Sequence, residues 1–359
     1  MEMKRFMFAA LSVLAISAGF VSCSDDDDDW NWEKEGSTIE MKQTRAFVLN
    51  EGAMNANNAS MTYFDWDTDT SYPNDLYMIQ NRTAMGELGQ DIIADDDNLY
   101  VIMSGSKIIY KLNGVGIRQS ACTISSDLGD PRYGVVEDNY LYVTCYGGYV
   151  AKIDTRTMSL AGQVQVGANP EYIIEEDGKL YCTCSGWGAD KRVAVIDVKS
   201  FDKATYFDVM DNPDRIIEAG GHIYVQGYGA YFDYPWGELN PSTGKFTQIG
   251  NVSAWAANKN TLYLAFSQTD WSTYATTTTL SSYDAQSGKQ DNNFFKNVPS
   301  ALTTSSVYGV SVNEHTGDIY VMTTDFVSTG RIYHFKSDGT FVRDFSSCGV
   351  NPRKIVFLD

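Results

Sequence analysis

The chain has 359 residues, 43% of them hydrophobic and 20% charged, which is too apolar for a disordered polymer and long enough to bury a large core. Lys and Arg number 27 against 46 Asp and Glu, a net charge of −19 that argues against nucleic-acid binding through a basic surface. The 23 Tyr, 17 Phe and 7 Trp beside 30 Gly suit short strands joined by turns rather than a helical bundle.

Lys4 and Arg5 precede an apolar stretch over 6–21 that ends at Ser22. A basic start, a short apolar run and small residues at the cut predict an export signal over 1–22; it is too short, with too polar a far flank, for a membrane span. Cys23, directly after Val21-Ser22, has the setting of a lipobox cysteine acylated at the new N-terminus, the plain alternative being a core cysteine near an ordinary cleavage site. Residues 25–29 are five aspartates without counter-charge, which repel one another and stay solvated. Residues 23–43 are therefore expected to form a flexible acidic tether, with a solubilising spacer as the alternative. Such a tether would hold a domain off a bilayer, with membrane contact by the lipid alone.

From residue 44 to 359 one pattern repeats. An apolar-Tyr step recurs at Leu99-Tyr100, Leu141-Tyr142, Leu180-Tyr181, Ile223-Tyr224, Leu262-Tyr263 and Ile319-Tyr320, each after a polar hairpin turn such as Asp95-Asp96-Asp97-Asn98. A short apolar strand precedes each turn, and a variable loop, a third strand and a second turn follow. Four short strands in roughly 40 residues is the period of a β-propeller blade. The end, Asn351-Pro352-Arg353-Lys354-Ile355-Val356, matches Asn169-Pro170-Glu171-Tyr172-Ile173-Ile174 and so reads as an innermost strand without partners. Ala46-Phe47-Val48-Leu49-Asn50, 60–65 and 76–79 supply its second, third and fourth strands. The predicted fold is all-β: a seven-bladed β-propeller of four-stranded blades, closed by pairing of the N- and C-terminal strands, which leaves no open sheet edge at the seam.

Register assigns residues to faces. The loops between second and third strands hold Tyr146, Tyr149, Trp187, Tyr228, Tyr231, Phe232, Trp271, Tyr274 and Phe326, where loops ordinarily carry Gly, Ser and Asn. A concave rim of rings for stacking on a ligand is one reading, and rings folded back to cap the sheets is the other. The first residues of the inner strands predict a channel ring of Asp91, Tyr133, Tyr172, Arg215, Tyr308 and Lys354, flanked by Arg132 and Arg353. That ring suits hydrogen bonding to a large neutral or zwitterionic ligand, or equally a sealed plug. The binding set read from face assignment is Trp187, Tyr231, Trp271, Tyr274, Tyr146, Tyr228, Arg132, Tyr133, Tyr172 and Arg215.

Three histidines, with His222 and His315 in turns on the far face and His334 on a third strand, argue against Ser-His catalysis and His-rich metal or haem sites. Five cysteines after Cys23 cannot all pair; a Cys145–Cys184 bridge and small buried thiols are both open readings. Carboxylates drawn from Glu51, Asp190, Asp233, Asp270 and Asp325 could serve glycan cleavage if two converged. No metal, cofactor or catalytic residue is assigned.

Phe47-Val48-Leu49-Asn50-Glu51-Gly52 and Asn58-Ala59-Ser60-Met61-Thr62-Tyr63-Phe64 resemble the opening of the YncE-like seven-bladed propeller lipoproteins of gut Bacteroidota. The aspartate run resembles the surface-export signal of such lipoproteins, which implies lipid anchoring in the outer membrane, facing the exterior. One branch, the BtuG-type surface proteins, captures cobalamin and hands it to a TonB-dependent outer-membrane transporter. The resemblance thus implies a corrinoid as small-molecule ligand and such a transporter as partner. Its matching residues lie in framework strands, so it assigns no ligand contacts. The reading is a lipid-anchored surface capture protein and not an enzyme; a glycan-binding subunit or adhesin, and then a polysaccharide-degrading enzyme, are the alternatives.

Overall fold

Seven four-stranded antiparallel sheets surround a central channel in the computed structural model, which describes residues 30–359; the expected signal sequence, Cys23 and the aspartate run lie outside the described residues. Blade 1 is the composite one. Its innermost strand, Pro352–Leu358, pairs with Arg45–Asn50, which pairs in turn with Ser60–Asp65 and then with Thr70–Ser71. Ala46 lies opposite Phe357 and Val48 opposite Ile355, so the two ends of the chain close the ring in the predicted register. The inner strands of blades 2 to 7 are Gly89–Asp95, Pro131–Glu137, Pro170–Glu176, Pro213–Ala219, Ala254–Asn258 and Ser306–Val312, each beside the next.

The repeat tyrosines explain the cohesion between blades. Tyr100, Tyr142, Tyr181, Tyr224, Tyr263 and Tyr320 are all buried, and they pack across to the following blade: Tyr142 onto Ile173 and Leu180, Tyr224 onto Trp255 and Leu262, Tyr320 onto Phe357. Burial of one such ring is worth about 1.5–3 kcal/mol. Just before each of these strands the turn chemistry does the work of reversal. Asp96, Asp138 and Asp177 take φ of 48°, 55° and 51° in the hairpins between first and second strands, the left-handed conformation that these tight turns require.

Two stretches depart from the sequence reading. Where 76–79 is predicted as the fourth strand of blade 1, the chain forms a helix, Leu76–Asn81, and the fourth strand is the short Thr70–Ser71. Asp75 caps the helix by accepting from the Tyr77 N–H at 3.0 Å. Leu76, Tyr77 and Gln80 are buried while Met78 and Ile79 are exposed, a helical rather than alternating pattern. The second departure is in the segment read as tether. Gln80 accepts from the Thr38 N–H at 3.0 Å and its hydroxyl at 2.9 Å, Met41 is buried, and the Lys42 N–H donates to the Tyr63 hydroxyl at 2.8 Å. Residues 37–43 are thus packed on blade 1.

Candidate functional site

The mouth of the channel is built from bulges. In blades 2, 3, 4, 5 and 7 the pairing of inner and second strands skips near its start: between Gly89 and Asp91, Pro131 and Gly134, Pro170 and Ile173, Pro213 and Arg215, and Val307 and Gly309. A bulge re-aims the strand and brings two successive side chains to one place. Arg132 with Tyr133, Glu171 with Tyr172 and Asp214 with Arg215 reach the mouth as such pairs.

These groups bind one another. Arg132 Nε donates to Glu171 at 3.0 Å and its Nη1 to Gln90 at 2.5 Å, with the guanidinium 4.5 Å over the Tyr146 ring. The Tyr146 hydroxyl donates to the other oxygen of Glu171. On the far side Arg353 donates to Glu51 at 2.6 Å, to the Tyr308 hydroxyl at 3.1 Å and to the Tyr133 hydroxyl. Tyr133 stacks on Tyr172 at 3.5 Å between centroids, Arg215 lies over Tyr172 at 5.5 Å, and Lys354 donates to Asp91 at 2.8 Å. Four bases, Arg132, Arg215, Arg353 and Lys354, thereby face four acids, Glu171, Asp214, Glu51 and Asp91, and the charge balances. Burial alone would draw the Arg132 guanidinium down, yet the Glu171 carboxylate holds it above its ordinary value. The nearby Asp214 charge, then burial, raises the Tyr228 phenol well above the ordinary range. Below the Tyr133–Tyr172 stack the channel holds a cavity of about 310 Å³ walled in part by Ile174, Ile217, Ala257 and Val312.

Above the mouth, the rings of the rim stand in solvent. Trp187 is 73% exposed, Tyr231 90%, and Trp271 and Tyr274 78% each. Rings that cap a sheet would be covered. Moreover Trp187, Phe232, Tyr234, Tyr274 and Phe326 have φ of 52°, 56°, 55°, 58° and 66°. For bulky residues this left-handed backbone costs about 1–3 kcal/mol each and persists only where the surroundings impose it. Trp271 and Tyr274 occupy the tip of a hairpin made by the ten-residue strands Thr261–Asp270 and Ala275–Asp284, whose turn Asp270 secures by accepting from the Ser272 N–H at 2.8 Å.

The predicted residues separate into two layers. Arg132, Tyr133, Tyr172 and Arg215 belong to the buried mouth, and half-buried Tyr146 joins it to the rim, meeting Trp187 edge-on at 5.9 Å. Tyr228 is half-buried and packs against Phe232 and Tyr234. Among the described residues, Tyr231, Trp271 and Tyr274 touch no other ring. Gln90, Glu171 and Asp214 escaped the sequence reading. For Glu171 and Asp214 the signal was available: the position after the strand-opening proline reads Arg132, Glu171, Asp214 and Arg353 in four blades, two bases and two acids at one repeat position. Of the carboxylates weighed for chemistry, Glu51 serves Arg353, Asp190 holds Arg192 through two bonds of 2.7 and 2.6 Å, and Asp270 and Asp325 secure turns. Cys145 and Cys184 are free and buried, so the bridge left open by their spacing does not form, and burial pushes the Cys145 thiol up to about 12.

No protein-family model and no curated protein matches the chain. Solved structures do. A quinoprotein alcohol dehydrogenase-like protein from Bacteroides thetaiotaomicron superposes with a TM-score of 0.64 at 15% identity, over 88% of this chain and 78% of that one. A chain of the mitotic checkpoint complex gives 0.56 at 12% identity, over 96% and 91%. The computationally designed Ika8 protein gives 0.54 at 10% identity, over 88% and 90%. At such identities the likeness is one of fold: this chain is a seven-bladed β-propeller, an architecture consistent with ligand binding or protein interaction.

Proposed function

We propose that the chain is a capture protein, lipid-anchored through Cys23 at the cell surface, whose loop face takes a corrinoid such as cobalamin for delivery to a TonB-dependent outer-membrane transporter. The observation that carries this reading is the set of six aromatic residues held exposed around one face, four of them, Trp187, Phe232, Tyr274 and Phe326, in left-handed backbone. A fold that spends conformational strain to hold rings in water has a use for them there. The mouth beneath is closed on itself by its own ion pairs, and the 310 Å³ cavity is smaller than a corrinoid, so the ligand rests on the rim with its amide arms over the largely buried polar groups of the mouth.

Titration of cobalamin with the purified propeller, followed by its absorption spectrum beside a panel of soluble glycans, tests the reading. Trp187→Ala or Trp271→Ala should each weaken binding by about 1–3 kcal/mol, as for loss of an aromatic anchor, with little change in melting temperature. Absence of any spectral change with cobalamin refutes the ligand. Glycan binding lost in the same variants transfers the site to the glycan-binding alternative.

A further inference from the structure

Blade 6 lacks most of its outer strand. Its third strand, Ala275–Asp284, pairs along all ten residues with Thr261–Asp270, but its fourth, Lys289–Asp291, covers only Ser282, Tyr283 and Asp284. In blade 5 the fourth strand Phe246–Asn251 accompanies the third, Pro235–Leu239, over its whole length. Past Asp291 the chain of blade 6 leaves the sheet and packs Phe294 and Phe295 against Tyr263. The Gly288 N–H bonds the Asp284 carbonyl, which sets the parity of the edge: Leu280, Thr278 and Thr276 turn both backbone groups outward. Among the described residues no backbone group of another segment bonds to them on that side.

The space that a fourth strand would fill is open. The short helix Ser300–Thr303 lies on the face turned to blade 7, where Leu302 and Leu280 share one apolar cluster and the Thr278 hydroxyl donates to the Ser305 carbonyl at 2.6 Å, but it makes no backbone bond to the edge. On the face turned to blade 5 a cleft of about 400 Å³ runs beside the edge, with Leu264 and Phe266 among its walls and Asn251, Gln290 and Asn292 at its margins. Natural edges are blunted by charges, prolines or bulges. This one has none: 271–283 contains no charged residue and no proline, the pairing runs without a register shift, and 276–279 are four threonines of high strand propensity.

We propose that the outer edge of blade 6 over 275–281 docks an extended, uncharged segment of a partner polypeptide by strand addition, with an apolar side chain of that segment entering the cleft beside Phe266. The unpaired row of N–H and C=O groups selects a strand, and the neutral rim with its apolar wall selects an uncharged one. A second copy of this chain is disfavoured as occupant, because each copy brings a net charge of −19. The inference is independent of the ligand on the loop face.

A blocked synthetic peptide with the sequence of Phe246–Asn251, the strand that occupies this place in blade 5, is the probe. Hydrogen exchange by mass spectrometry, with overlapping fragments over 271–284, reads the edge. The outward amides of 276, 278 and 280 should exchange freely in the monomer and slow at least tenfold with millimolar peptide. Thr278→Pro removes the central outward N–H and should abolish that slowing. Because it also loses the Ser305 contact, Phe266→Ala, which leaves the edge intact and empties the cleft, serves as second variant with the same expected loss. Amides already protected in the monomer, no slowing with peptide, or slowing unchanged in both variants overturns the proposal. Protection that grows with protein concentration alongside a dimer mass in light scattering overturns it in favour of a second copy.

Discussion

The seam where blade 7 meets blade 1 contains an ion cluster whose protonation sets the strength of ring closure. His334, on the third strand of blade 7, places Nδ1 2.7 Å from Asp69 and Nε2 2.9 Å from Asp318, with its ring stacked on Tyr320. A neutral imidazole has one donor, so satisfying two carboxylates requires the imidazolium. Arg343 donates to Asp69 at 3.0 Å and Lys336 to Asp318 at 2.9 Å, completing the charges that face it. Burial alone would lower the His334 pKa, but the hydrogen bonds and charges of Asp318 and Asp69 outweigh it and the value is raised. A raised folded value means that the stabilisation is complete below the ordinary value of 6.5 and disappears as the pH climbs through the folded one. Asp318 is held low despite burial by His334 and Lys336, so its contribution is present above 3.8 and disappears as the pH falls through the lowered value. His334→Ala leaves Asp69 and Asp318 buried with one partner fewer, and breaking a buried pair in this way costs about 3–5 kcal/mol. Urea unfolding at pH 5.5 and pH 9 should show the wild type losing stability as pH rises, with a much flatter response in His334→Ala. Parallel curves for the two proteins would refute the imidazolium bridge.

The left-handed backbone of the rim predicts that Trp187→Gly matches or exceeds Trp187→Ala in melting temperature, since glycine adopts a φ of 52° without strain and the ring buries little; a lower value for the glycine variant contradicts it. Asp75→Ala should destabilise by about 1 kcal/mol through loss of the helix cap, read from the urea midpoint. In thiol titration of the propeller, Cys348, which is half-exposed, should react first, whereas Cys122, Cys145, Cys182 and Cys184 should react only on unfolding, and reduction should leave the mass unchanged. Cys23→Ala should release the protein from membranes, and alanine at 25–29 should leave it facing the periplasm, as read by protease accessibility in intact cells; continued anchoring or unchanged accessibility removes the corresponding role.

The propeller, its seven blades and the splicing of its ends were legible in the chain because they rest on local chemistry that repeats. Turn residues with left-handed preference, an apolar-Tyr step and a period near 40 residues recur six times, and the terminal Asn351-Pro352 run repeats the opening of two other inner strands, so the missing partners had to lie at the other end. The helix at Leu76–Asn81 escaped because four apolar residues in a row fit a strand or a helix equally until Asp75 and Gln80 find their partners.

The site was legible in kind and not in arrangement. Loop aromatics and channel-mouth charges are visible at their repeat positions, whereas the pairing of Arg353 with Tyr133, 220 residues away, exists only because the ring closes and brings blade 1 across from blade 3. The bulges that send successive residues to the mouth, the left-handed backbone beneath the exposed rings and the uncovered edge of blade 6 likewise have no local signature in the sequence. Period and turn preference are properties of neighbours along the chain, and they determine the blades. Register, exposure and charge pairing are properties of whichever strands lie side by side in space, and those the tertiary structure alone decides.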